Sequence, residues 1–158
     1  MKIDEVTNLS AVDVVNALKN GELDLVEYVD ALLTRCEEFK SLNAFVTLQA
    51  DKLRESSKQK DKLKSPLYGL PLIIKDNIDV AGMPTTACTP ALQNWVPQNN
   101  AAITQSLIDA GAQIMGKASM HELAYGITSD NAHYGNVCNP YDLDCIPGGS
   151  SSGTAAAI

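Results

Sequence analysis

Gly69-Leu70-Pro71-Leu72-Ile73-Ile74-Lys75-Asp76-Asn77-Ile78-Asp79-Val80-Ala81-Gly82-Met83-Pro84-Thr85-Thr86 begins with turn residues and runs straight into an apolar segment. Leu72-Ile73-Ile74 is the continuous apolar run expected of a strand buried on both faces. Downstream, Asn100 to Ala110 places Ile103, Leu107 and Ile108 on one helical face with Gly111 as a stop, and Ala112-Gln113-Ile114-Met115-Gly116 reads as a further strand. Strand, helix and strand with short connections predict an α/β layer architecture with at least partly parallel pairing. Upstream, the chain reads as helical. Ser10 caps a helix through Val14, Val15 and Leu18 that stops at Gly21. Asp24, with Glu27 three residues on, opens a second helix. Its stripe of Leu25, Val26, Val29, Leu32 and Leu33 needs a partner, and the preceding helix is the nearest candidate. Ala44-Phe45-Val46-Thr47-Leu48 reads as a strand. Ala50 to Lys64 reads as a solvated helix, where Asp51, Glu55 and Asp61 among the lysines argue against a basic patch.

The 158 residues suit one ordinary domain. A composition of 45% hydrophobic and 20% charged residues is globular rather than disordered. A net charge of −7 argues against a direct nucleic-acid partner or an anionic membrane surface. No apolar run approaches the roughly 20 residues of a membrane span. Met1-Lys2-Ile3-Asp4-Glu5 is acidic where a secretory leader would be basic and then apolar. Cys36, Cys88, Cys138 and Cys145 form no CxxC pair and have no adjacent histidine, so neither a zinc site nor a disulfide framework is signalled. The expectation is a soluble cytoplasmic protein with reduced thiols.

Two places invite chemistry. Lys75 ends an apolar strand, where desolvation lowers a lysine's pKa and frees a neutral amine to act as a base. The competing reading, which position alone favours, is a strand-end lysine reaching water beside Asp76 and Asp79. The second place is Gly148-Gly149-Ser150-Ser151-Ser152-Gly153. Pro147 and the apolar Thr154-Ala155-Ala156-Ala157-Ile158 argue against a free linker. No Gly-Lys-Ser/Thr follows, so a Walker-type phosphate loop fails. An anion-holding nest of backbone N–H groups stays open. A GxSxG elbow centred on Ser151 fits formally, yet no His or Asp follows it in the chain. His121 and His133 lack ligands at metal spacing, and Asp142 and Asp144 read as turn residues after Asn139-Pro140.

Residues 69–86, followed far downstream by Ile146-Pro147-Gly148-Gly149-Ser150-Ser151-Ser152-Gly153, resemble the amidase signature family. The resemblance runs from about Asn43 to the end. Met120-His121-Glu122-Leu123-Ala124-Tyr125-Gly126-Ile127-Thr128-Ser129 is similar to members that hydrolyse aryl-acetamides, such as indoleacetamide hydrolases. Thr85-Thr86-Ala87-Cys88 with Pro90-Ala91 is similar to allophanate hydrolases. The A-type subunit of glutamyl-tRNA(Gln) amidotransferase shares the two main motifs. The resemblance implies the N-terminal part of a mixed-sheet α/β/α fold, truncated. Residues 1–158 would then form a single incomplete domain, with 1–64 a mainly helical segment and 65–158 the start of the α/β core.

The resemblance also implies amide hydrolysis by a Ser–cis-Ser–Lys triad. Lys75 would be the base, Ser150 the bridging serine beside a cis peptide bond, and Ser129 part of the substrate site. The substrate would be a small-molecule amide, with no metal and no organic cofactor required. The nucleophilic serine of the family lies further along than Ile158, so this chain is expected to be inactive alone. It is also expected to self-associate or form a homo-oligomer, because an interrupted sheet exposes strand edges and apolar faces. The alternatives are the A-type amidotransferase subunit, which works with partner subunits, an allophanate hydrolase, or a truncated, non-catalytic interaction module that kept the scaffold.

Overall fold

The computed structural model describes residues 3–59 and 65–158. It separates into two compact units, each assembled from three stretches of chain. One comprises Met1–Phe39, Gln49–Leu72 and Ser106–Met115, and the other Lys40–Leu48, Ile73–Gln105 and Gly116–Ile158.

Among the described residues the first unit carries the helices α1 (Ile3–Thr7), α2 (Ala11–Asn20), α3 (Leu25–Glu38) and α4 (Ala50–Ser57). Their ends follow local chemistry. Ser10 Oγ accepts the Asp13 N–H, and Gly21, at φ 71°, closes α2 by donating back to Leu18 O. Asp24 Oδ1 accepts from Val26 N and Glu27 N at 2.8 and 3.2 Å, opening α3. The buried face of α3 is Leu25, Tyr28, Val29, Ala31 and Leu33, with Val26 and Leu32 only half-buried. Its densest helix packing is with α1 and α4. The surrounding helices bury apolar side chains of their own, Val6 on α1, Val14 and Leu18 on α2 and Leu53 on α4. Helix α4 stops at Ser57, and Lys60 to Lys64 lie outside the described residues.

The sheet has three strands, β1 (Phe45–Leu48), β2 (Pro71–Lys75) and β3 (Gln113–Ala118), in the order β1-β3-β2. Strands β1 and β3 run antiparallel, Phe45 opposite Ala118 and Leu48 opposite Gly116, with an irregularity between Phe45 and Thr47. Gln113 N donates to Leu70 O before β2, and Asp76 N donates to Ala118 O after it. The bonds advance together along both strands, so β2 and β3 are parallel and the sheet is mixed.

The connecting helix α5 (Ala102–Asp109) departs from the predicted apolar face. Ile103 is exposed, Leu107 and Ile108 are half-buried, and Thr104 is fully buried. Asp79 O accepts both the Ala101 N–H and the Thr104 hydroxyl, at 3.0 and 2.9 Å. Pinning residues 101 and 104 inward turns Ile103, about 100° round the helix from Thr104, toward solvent.

In the second unit apolar side chains cluster. Ala44, Val137 and Ala156 pack with Phe45, and Ala87, Cys88 and Met120 pack with Val46 and Tyr134. The chain ends in a short helix, α6 (Ser152–Ala157). Among the described residues no helix is long and apolar enough to cross a membrane.

Candidate active site

Lys75 is the last residue of β2 and is half-buried. Its Nζ lies 2.7 Å from Ser150 Oγ, joining two positions 75 residues apart. Hydrogen positions follow from protonation: an ammonium donates to Oγ, whereas a neutral amine accepts the Ser150 hydroxyl proton.

Ser150 sits in the glycine–serine loop before α6, and the Gly149–Ser150 peptide bond is cis. The loop is tied on both sides. His121 N donates to Ser150 O at 3.1 Å, and Gly153 N donates to Ser119 O at 2.8 Å. A Cβ at Gly153 would strike Ala44 O and the Ser119 backbone, so only glycine permits this approach. Ser129 is buried, its hydroxyl donating to Gly148 O at 3.3 Å while its N–H donates to His121 Nδ1 at 3.0 Å. It therefore sits one hydrogen bond from the loop bearing Ser150. Ser151 is exposed, whereas Ser152 is wholly buried.

Next to Lys75, Asp76 does not reach water. It is fully buried and faces Lys117, also fully buried in β3, with Nζ 3.2 Å from Asp76 Oδ1. Asp76 Oδ2 accepts from Thr86 N, Thr86 Oγ1 and Cys88 N. Lys117 Nζ also donates to Thr85 Oγ1 and Pro84 O, at 2.9 and 3.2 Å. One ion pair thus fixes the end of β2, the end of β3 and the loop 84–88. Burial pulls the Lys117 pKa below the usual lysine value, and the Asp76 charge opposes that pull. The same burial lifts the Cys88 thiol to about 11.

Lys117, His121 and Asn131 carry this arrangement without having been singled out for it by sequence. Asn131 Nδ2 donates to Cys88 O at 2.7 Å, and its Oδ1 accepts from His133 N and Tyr134 N. Lys117 did leave a signal: a lone cation in Ile114-Met115-Gly116-Lys117-Ala118 needs a counter-charge once the strand is buried. The His133 side chain is exposed, and Asp142 caps the exposed turn after Pro140, its Oδ1 accepting from Asp144 N. Among the described residues no three His, Cys, Asp or Glu side chains converge as metal ligands would.

This chain is similar to amidases and their relatives. The amidase family model matches residues 27–158. The A-type subunit of a glutamyl-tRNA(Gln) amidotransferase from Lachnoclostridium phytofermentans is 37% identical, over 98% of this chain and 33% of its own length. An indoleacetamide hydrolase of Rhizobium radiobacter is 44% identical, over 89% of this chain and 31% of its own length. The native peptide amidase of Stenotrophomonas maltophilia superposes with a TM-score of 0.86 at 33% identity, over 96% of this chain and 34% of that one. The chain thus spans about a third of the length of the relatives it matches. By sequence model, identity and fold together, it belongs to the amidase signature family.

Proposed function

We propose that this chain supplies the Lys75–Ser150 part of a Ser–cis-Ser–Lys amide hydrolase. The observation that carries the reading is the 2.7 Å contact between Lys75 Nζ and Ser150 Oγ. Lys75, as a neutral amine, takes the Ser150 hydroxyl proton while Ser150 takes that of a nucleophilic serine contributed by sequence following Ile158. The nucleophile attacks the amide carbon, backbone N–H groups of the segment that carries the nucleophile hold the oxyanion, and the proton returns to the departing ammonia. Water then hydrolyses the acyl-enzyme to the carboxylate. The buried Ser129 shapes the substrate side of the loop through Gly148. No step calls for a metal or an organic cofactor.

Small aryl amides are the preferred substrate class, supported by the 44% identity to an indoleacetamide hydrolase. Transamidation with partner proteins is the second reading, supported by the 37% identity to an amidotransferase component over nearly the whole chain. Ammonia release from a free amide, with no partner protein added, separates the two. In protein that includes the sequence following Ile158, Lys75→Ala and Ser150→Ala should each lower that release by about 10²–10⁴-fold. Near-normal turnover in either variant defeats the proposal. The 158-residue chain itself should release no ammonia, and turnover by it would show that a nucleophile lies within these residues.

A further inference from the structure

His121 stands outside the proposed proton relay, yet it touches two of the segments that frame it. Its backbone N–H donates to Ser150 O at 3.1 Å, while its own carbonyl accepts Ala124 N at 2.9 Å. Its ring Nδ1 accepts the N–H of Ser129 at 3.0 Å. Ser129 adopts φ 59°, a left-handed conformation that a non-glycine residue holds only when its surroundings fix it. The Ser129 hydroxyl then reaches Gly148 O, two residues before Ser150. The His121 ring also packs closely against Gly126, where a Cβ would collide with Nε2, Cε1 and Cδ2. One histidine therefore grips the 126–129 segment with its ring and the Ser150 segment with its main chain.

The tautomer follows from this geometry. An Nδ1 that accepts carries no hydrogen, so a neutral ring holds its proton on Nε2. A hydrogen on Nδ1 would face the Ser129 N–H and break the grip.

We propose that His121 is a positioning residue, a neutral Nε2–H imidazole whose Nδ1 holds Ser129 and so sets the Gly148–Ser150 segment opposite Lys75. Its place in catalysis rests on the amidase reading above, whereas its grip on Ser129 does not.

The test has an arm for each. The chain contains two histidines, and the exposed His133 serves as an internal reference. Nitrogen-15 spectra of the 158-residue chain near neutral pH should show His121 with an unprotonated Nδ1 and a protonated Nε2. Hydrogen exchange of the Ser129 amide should speed up by about tenfold or more in His121→Ala. It should return toward the parent rate in His121→Asn, whose Oδ1 stands near the place of Nδ1, but not in His121→Gln. A proton on Nδ1, or Ser129 exchange indifferent to all three substitutions, overturns the proposal. The wild-type spectrum decides even if a variant does not fold.

In protein extended beyond Ile158, His121→Ala should lower kcat for ammonia release by about a hundredfold, as misplacement of a reacting group does, with a much smaller change in KM. His121→Asn should recover most of that loss. A kcat unchanged in His121→Ala overturns the catalytic part. If Ser129 responds as expected but Lys75→Ala retains activity, it is the Lys75–Ser150 relay that fails and the positioning of Ser129 that stands.

Discussion

Cys88 shows how completely one side chain's chemistry is set by its surroundings. It is 1% exposed, its Sγ accepts the Met120 N–H at 3.3 Å, and its own N–H donates to Thr86 Oγ1 and Asp76 Oδ2. Burial is the main cause of a thiol pKa of about 11, against an ordinary 9.0, and the Met120 hydrogen bond only partly offsets it. Thiol reagents near pH 8 should therefore modify the exposed Cys145 first and reach Cys88 only after unfolding, a sequence that peptide mapping would establish. The same shift fixes a pH dependence. Between about 9 and 11 the unfolded chain gives up the Cys88 proton while the folded chain keeps it, so this residue's contribution to stability falls as pH rises. The stability difference between the parent and Cys88→Ala should drift against the parent across that window, by at most about 3 kcal/mol in urea melts. A pH-independent difference would contradict the buried-thiol assignment. None of this is visible in the sequence, where Cys88 is one of four scattered cysteines with no partner in register.

At the level of elements, the Asp76–Lys117 pair joins the ends of two parallel strands to the loop 84–88. Neither charge touches solvent, so removing one leaves the other stranded. Asp76→Ala should cost about 3–5 kcal/mol in equilibrium unfolding, and adding Lys117→Met should restore much of that loss because no isolated buried charge remains. Simple additivity of the two would show the pair to be energetically uncoupled. Alternation and apolar runs could locate β2 and β3, and caps at Ser10, Gly21 and Asp24 could locate α2 and α3, because those signals are local. The inward face of α5 could not be read the same way. Asp79 O, more than twenty residues upstream, recruits Thr104 and outweighs the apolar pull of Ile103.

Across the whole molecule, the loops of residues 122–146 carry large apolar side chains in water. Tyr125 and Tyr141 are 92% and 96% exposed, and Leu123, Ile127, Leu143 and Ile146 are exposed as well. Such surface favours association. Sedimentation of the 158-residue chain should reveal concentration-dependent self-association, weakened when Tyr141 and Leu143 are both replaced by serine. A monodisperse monomer with a cooperative melt would instead mark these loops as compatible with water.

What the sequence determined alone was everything encoded within a few residues: the helix caps, the strand segments, and the two motifs that carry the family resemblance. Lys75 and Ser150 were identifiable as a candidate pair through that resemblance, since position alone favoured a lysine reaching water. Only the tertiary structure decided that Nζ and Oγ meet at 2.7 Å, that Asp76 turns from water to Lys117, and that His121 holds Ser129. Those outcomes depend on chain segments brought together by packing, and the hydrogen-bond demand of a buried group is met by whichever partner the fold delivers, near in sequence or not.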